Sequence, residues 1–171
     1  NILKDIPKSD IIIAGPPCQG FSLTGPRNID DPRNKLYLSV FKTLKLTNPK
    51  AFVVENVRGL KTMWEGNVFK EIIKKFESAG YIVTESLLNS ADYGVPQIRH
   101  RVFIVGIKKE LNKKFKFPKP EFDKDNYITC GEAIDNLPSL ENGELKSNDY
   151  KEKPTTNYQK YVMDSNKLYN H

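Results

Sequence analysis

Four short apolar runs in the first 110 residues constrain this chain more than any other feature. "SDIIIAG" (9–15), "AFVVEN" (51–56), "YIVTESLL" (81–88) and "RVFIVGI" (101–107) are of strand length and rich in β-branched residues. The segments between the first three have a helical period. Tyr37, Val40, Phe41 and Leu44 recur at i, i+3, i+4 and i+7, and Phe69, Ile72, Ile73 and Phe76 form a second such stripe, with Gly80 as its stop. Alternating strands and helices predict an α/β fold with right-handed crossovers and a parallel sheet.

Beyond Lys108 the pattern changes. "KKELNKKFKFPKPEFDKDN" is lysine-rich and broken by Pro118 and Pro120, as expected of a surface connection. "TCGEAIDNLP" predicts one short helix with Thr129 as its N-cap. Residues 139–171 show no clear period and are expected to hold little regular structure. Trp64 and the "EGN" after it read as a loop.

Several function classes are disfavoured. No apolar stretch reaches the length of a membrane span and "NILKDIPKSD" lacks a signal-peptide core, so no membrane partner and a cytoplasmic location are expected. Two cysteines, Cys18 and Cys130, and two scattered histidines, His100 and His171, argue against a disulfide framework and a metal site. Cys130 reads as structural. The formal net charge of +6 favours an anionic partner such as nucleic acid, but lysines that merely keep the surface soluble explain it equally well.

In open α/β sheets, ligands bind beyond the carboxyl ends of the strands. Cys18, in "AGPPCQGFSLTG", follows the first strand on a stiff proline frame, and Glu55 ends the second. Parallel strands bring both to one edge of the sheet. Taken singly, Cys18 reads as a packed turn residue and Glu55 as a surface carboxylate. In "VPQIRHRVFIVG", Gln97, Arg99 and Arg101 alternate, so an extended backbone gives them one face, with Ile98 and His100 on the other. They precede their strand, and they meet Cys18 and Glu55 only if residues 102–107 run antiparallel to 11–14 and 51–54. Otherwise both arginines are surface charges at a strand start.

"GPPCQGFS", "ENV" and "QIRHR", with "DDPRNKLY" (30–37) and "LNSADYGVPQIRHRVFIVG", resemble the motifs of the DNA cytosine-5 methyltransferases in order and spacing. The resemblance covers roughly residues 9–138. It implies part of a Rossmann-like, S-adenosylmethionine-dependent methyltransferase sheet, with duplex DNA as partner. It also implies covalent catalysis on a base flipped out of the helix. Cys18 is then the nucleophile that adds to carbon 6 of cytosine. Glu55 holds the N3 and 4-amino edge, Arg101 the 2-oxo group, and Arg99 braces the site with Gln97 in support. Gln19 and Ser22 are implied as DNA contacts, and Asn56 as the tie between the glutamate strand and the cysteine loop. Pro17 and Leu36 face the cofactor.

The resemblance places a glycine-rich cofactor strand and loop before residue 1 and a target-recognition domain after residue 171. Residues 1–138 are therefore expected to be the second half of a catalytic domain, and 139–171 an irregular approach to the recognition domain. The chain alone is not expected to methylate DNA. The first strand should leave an exposed edge open to homo-association, and a restriction endonuclease partner is compatible with such a family. The rival readings are a non-catalytic or split-subunit DNA-binding protein of this fold, an RNA cytosine-5 methyltransferase, and a thiol hydrolase. "CQGFS" follows the DNA pattern rather than the RNA one, and a hydrolase lacks its histidine partner.

Overall fold

The computed structural model describes residues 6–17, 36–137 and 153–162. Their contacts divide into two units, the first drawn from residues 1–89 and 100–119, the second from 90–99 and 120–171. The expected boundary at 138/139 lies outside the described residues.

The first unit holds a four-stranded sheet in the order β1-β2-β4-β3. The strands are β1 (Ile11–Ala14), β2 (Ala51–Val57), β3 (Tyr81–Asn89) and β4 (His100–Lys108). β1 and β2 pair in parallel, whereas β4 pairs antiparallel with both β2 and β3. The strand at 102–107 thus opposes the other three, as expected. β3 runs with β1 and β2 but does not pair with them, because β4 inserts between it and β2. Helix α1 (Tyr37–Thr47) links β1 to β2, and α3 (Asn67–Ser78) precedes β3. α3 stops where Gly80 takes a left-handed φ of +91°, which favours glycine.

The segment read as a loop around Trp64 is instead helical. A short α2 (Gly59–Thr62) leads into a 3₁₀ turn, Met63–Gly66. Glu65 and Gly66 both have positive φ, which turns the chain from one helical segment into α3. No glycine or proline pattern in "KTMWEGN" announces the helical part.

Strand alternation separates two faces. Phe52 and Val54 of β2 and Val102 and Ile104 of β4 point into one core with Leu44 of α1 and Ile72 and Phe76 of α3. Phe52 anchors it, with ring centroids 4.7 Å from Phe76 and 5.0 Å from Tyr81. The opposite face of β2 carries Val53, Glu55 and Val57.

Tyr81 opens β3 fully buried, its hydroxyl donating to the carbonyl oxygen of Pro49 at 2.9 Å. Burial, then the negative charge of Glu110, pushes its pKa up to about 12. Because the folded value lies above the unfolded value of about 10, this proton stabilises the fold fully below pH 10. The contribution is lost as pH rises towards 12. Tyr81→Phe should cost about 1 kcal/mol at neutral pH through the orphaned carbonyl, and should flatten the alkaline fall in stability by about 2 kcal/mol. Urea unfolding of both proteins between pH 8 and 12 checks this. Parallel curves would remove Tyr81 as the cause.

The second unit contains α4 (Cys130–Ile134) and α5 (Asn157–Val162). α4 has the expected cap. Thr129 accepts from the Glu132 amide, and Glu132 accepts from the Thr129 amide at 2.8 Å. The Thr129 amide, and then its hydroxyl, donate to the Glu132 carboxyl and hold it below its usual range. After residue 139, where little regular structure is expected, α5 is the one regular element among the described residues. Thr156 Oγ1 accepts from the Gln159 amide at 3.1 Å, and Gln159 Oε1 accepts from the Thr155 amide at 2.8 Å. The Thr156 hydroxyl also donates to the Glu132 carbonyl at 2.8 Å, joining α5 to α4. A six-residue helix is marginal alone; these bonds hold it.

Candidate active site

Glu55 lies on the face of β2 opposite the core, near the carboxyl end of the strand. Antiparallel register places Val57 opposite Arg101 and Glu55 opposite Phe103. Arg101 and Glu55 are therefore diagonal neighbours on one face. Arg101 Nε donates to Glu55 Oε1 at 2.8 Å, and another guanidinium nitrogen donates to the His100 carbonyl at 2.9 Å. A half-exposed ion pair stabilises a fold by about 1 kcal/mol at most. Its larger effect is to hold a carboxyl and a guanidinium side by side at an open sheet edge, the Glu55 side chain being 39% and that of Arg101 25% exposed.

The other side of the Glu55 carboxylate meets the turn after β1. A Cβ built on Gly15 would lie 3.7 Å from Glu55 Oε2, so a side chain at this position, three residues before Cys18, would touch the carboxylate. Asn56 faces the core side of β2 and is buried. Its Nδ2 donates to the Pro16 carbonyl at 3.0 Å, and its Oδ1 accepts from the Val57 amide at 2.8 Å. Asn56 thus ties β2 to the β1 turn, beside which the Glu55 carboxylate lies.

Cys18, Gln19 and Ser22 lie outside the described residues. Pro17 is exposed, and Leu36, which precedes α1, is 36% exposed. Gln97 and Arg99 belong to the second unit, where both are exposed. The Arg99 carbonyl accepts from the Ser90 amide at 3.0 Å and the Ser90 hydroxyl at 3.1 Å. The extended alternation drawn from Gln97 through Arg101 needs correction, since β4 begins only at His100. Gln97 sits in a bend closed by its amide donating to the Val95 carbonyl at 2.7 Å. The intervening Pro96 has no N–H and a fixed φ, which favours a tight turn over a ladder. No metal-binding group of His, Cys, Asp or Glu occurs among the described residues. None of the described helices is long and apolar enough to cross a membrane.

Comparison with known proteins places this geometry in context. The family model for the C-5 cytosine-specific DNA methylases matches residues 2–170. The type II methyltransferase M.BspRI of Lysinibacillus sphaericus is 41% identical over 152 residues, covering 86% of this chain and 36% of its own. M.DdeI of Desulfomicrobium norvegicum is 42% identical, covering 95% of this chain and 41% of its own. Among solved structures, a DNA modification methyltransferase of an Escherichia coli prophage superposes with a TM-score of 0.62 at 31% identity, over 81% of this chain and 38% of its own. Spodoptera frugiperda DNMT2 gives 0.54 at 26% identity, over 78% and 40%. The chain thus spans about two-fifths or less of the length of these relatives.

Proposed function

Because the chain belongs to the C-5 cytosine-specific DNA methylase family, we propose that it supplies the nucleophile half of a site methylating carbon 5 of cytosine in duplex DNA. The observation that carries this reading is the Glu55–Arg101 pair, set against the turn that leads to Cys18. In cytosine, N3 and the 2-oxo group are adjacent. A carboxyl and a guanidinium already in contact can address both at once, Glu55 at N3 and the 4-amino group, Arg101 at the 2-oxo oxygen.

Carbon 5 of cytosine is a weak nucleophile. The Cys18 thiolate forms a bond to carbon 6, electron density moves onto the ring, and carbon 5 becomes enamine-like. Glu55 holds the N3 edge and Arg101 the oxygen where negative charge grows. After carbon 5 gains its methyl group, a base takes its proton, the electron pair of that C–H bond re-forms the double bond between carbons 5 and 6, and Cys18 leaves carbon 6 as the thiolate. Arg99 is assigned the bracing of the site, with Gln97 in support. Asn56 fixes the Cys18 turn to β2. The target nucleotide must leave the stack to reach these groups, and Gln19 and Ser22 contact the DNA that receives it.

S-adenosylmethionine, when bound, supplies the electrophilic methyl group. Pro17 and Leu36 suit apolar contact with it: both expose apolar surface and neither carries a side-chain donor or acceptor. Polar recognition of the cofactor falls to residues other than these.

Residues 1–138 act as the second half of the catalytic domain and 139–171 as the approach to target recognition. The protein works in the cytoplasm, and the type II names of its relatives favour a restriction-modification setting with a cognate endonuclease. β1 is the outer strand of the sheet among the described residues, with Ile11 and Ile13 58% and 79% exposed. That edge suits pairing with another strand, including one from a second copy.

The test is methyl incorporation. A full-length enzyme carrying this segment should label duplex DNA and leave tRNA unlabelled, while residues 1–171 alone label neither. Preferential labelling of tRNA would establish the RNA reading instead.

A further inference from the structure

The formal charge of +6 is not spread evenly. Residues 108–119, "KKELNKKFKFPK", hold six lysines against one glutamate. Within it, residues 113–119 form neither helix nor strand and contain no acid. Lys113, Lys114, Lys116 and Lys119 are exposed, and none makes an ion pair among the described residues. α3 is the internal comparison. There Lys70, Lys74 and Lys75 are interspersed with Glu71 and Glu77, and Lys75 pairs with Glu71 at 3.4 Å. A surface serving only solubility resembles α3, with both signs mixed. The strap is segregated.

It is also ordered. Phe115 and Phe117 are half-buried and meet edge to face at 5.0 Å, which fixes the backbone and turns the alternating Lys114 and Lys116 outward. The strap starts at Lys108, which is held over the Tyr81 ring at 4.7 Å. That point lies about 23 Å along β4 from Arg101, at ~3.3 Å per residue. The acids that follow, Glu121, Asp123 and Asp125, fall in the second unit.

We infer that this lysine strap is a sequence-independent binding surface for the phosphate backbone of duplex DNA, separate from the groups that hold the target base. The inference rests on duplex DNA being the substrate. Lysines on a fixed strap neutralise phosphates and release counterions. The slope of log affinity against log salt therefore falls by about 0.9 for each phosphate that a variant no longer neutralises.

The experiment is fluorescence anisotropy of residues 1–171 with a labelled 20-base-pair duplex of arbitrary sequence, across a salt series. The triple variant Lys113→Gln, Lys114→Gln, Lys116→Gln should bind about 10-fold or more weakly at ~0.1 M salt, with a slope shallower by about 2.7 if each lysine neutralises one phosphate. The matched variant Lys70→Gln, Lys74→Gln, Lys75→Gln, with the same charge change on α3, should keep the wild-type slope. An unchanged slope in the strap variant overturns the inference, as does an equal fall in the α3 variant, which would reduce the effect to net charge. Displacement of the wild-type chain by single-stranded RNA at lower concentration than by duplex DNA overturns the choice of partner. Binding is read without methyl transfer. A chain that binds through the strap but belongs to an enzyme that never labels cytosine would refute the catalytic reading and leave this one standing.

Discussion

Cys18→Ser, made in a full-length enzyme carrying this segment, is expected to abolish covalent capture of duplex DNA bearing 5-fluorocytosine at the target position. Methyl transfer to ordinary cytosine should fall by at least ~10,000-fold. The reason is chemical. Fluorine cannot leave carbon 5 as the proton does, so an adduct through carbon 6 persists and survives denaturing electrophoresis. A serine hydroxyl in the same position stays protonated at neutral pH and is a far weaker nucleophile than a thiolate. Cys130, the exposed cysteine of the second unit, supplies the control. Its Sγ donates to the Pro96 carbonyl at 3.4 Å, and Cys130→Ser should leave the adduct intact. An adduct that survives in the Cys18→Ser enzyme, or vanishes in the Cys130→Ser enzyme, assigns the chemistry to the wrong sulfur.

The direction of β4 shows how far the sequence carries the fold. Nothing in "RVFIVGI" specifies orientation, since a buried strand has the same composition either way up. Orientation follows from a functional demand: Arg101 precedes the apolar run of its strand, Glu55 closes that of its own, and only opposed strands let them meet. The observed register, with Val57 opposite Arg101, satisfies that demand. Strand order is less accessible, because whether β4 inserts beside β2 or pairs only with β3 depends on contacts distant in the chain. Two helix starts make a similar contrast. "TCGE" reads as a helix start and is one. "TNYQ" has the same Thr-x-x-Glu/Gln spacing and starts α5, yet the sparse apolar content around it hides the signal. The bend at Gln97 escapes for a different reason: the alternation of Gln97, Arg99 and Arg101 reads as strand, while the turn is set by Pro96 just before it, which cannot join a ladder. Within the site, the bond from Asn56 to the β1 turn depends on side-chain reach that sequence spacing does not encode.

The sheet that carries the pair depends on one position with no side chain. Gly106 of β4 lies opposite Phe52 of β2, and a Cβ there would sit 2.1 Å from Phe52 Cε1 and 2.5 Å from Cζ. The ring has nowhere to go: Phe52 is fully buried between Phe76 and Tyr81. Gly106→Ala must therefore push β4 away from β2 or force the ring off its rotamer, at about 3 kcal/mol. That corresponds to a fall of roughly 6–12 °C in melting temperature. Phe52→Leu alone should also destabilise, because the smaller side chain packs less well. The two changes should not add, since leucine at 52 vacates the space that the new methyl needs. In a double-mutant cycle on residues 1–171, urea unfolding should give a combined loss smaller than the sum by at least ~1 kcal/mol. Additive losses would mean that the crowding at Gly106 is relieved elsewhere, and that the spacing between the Glu55 strand and the Arg101 strand does not depend on this contact.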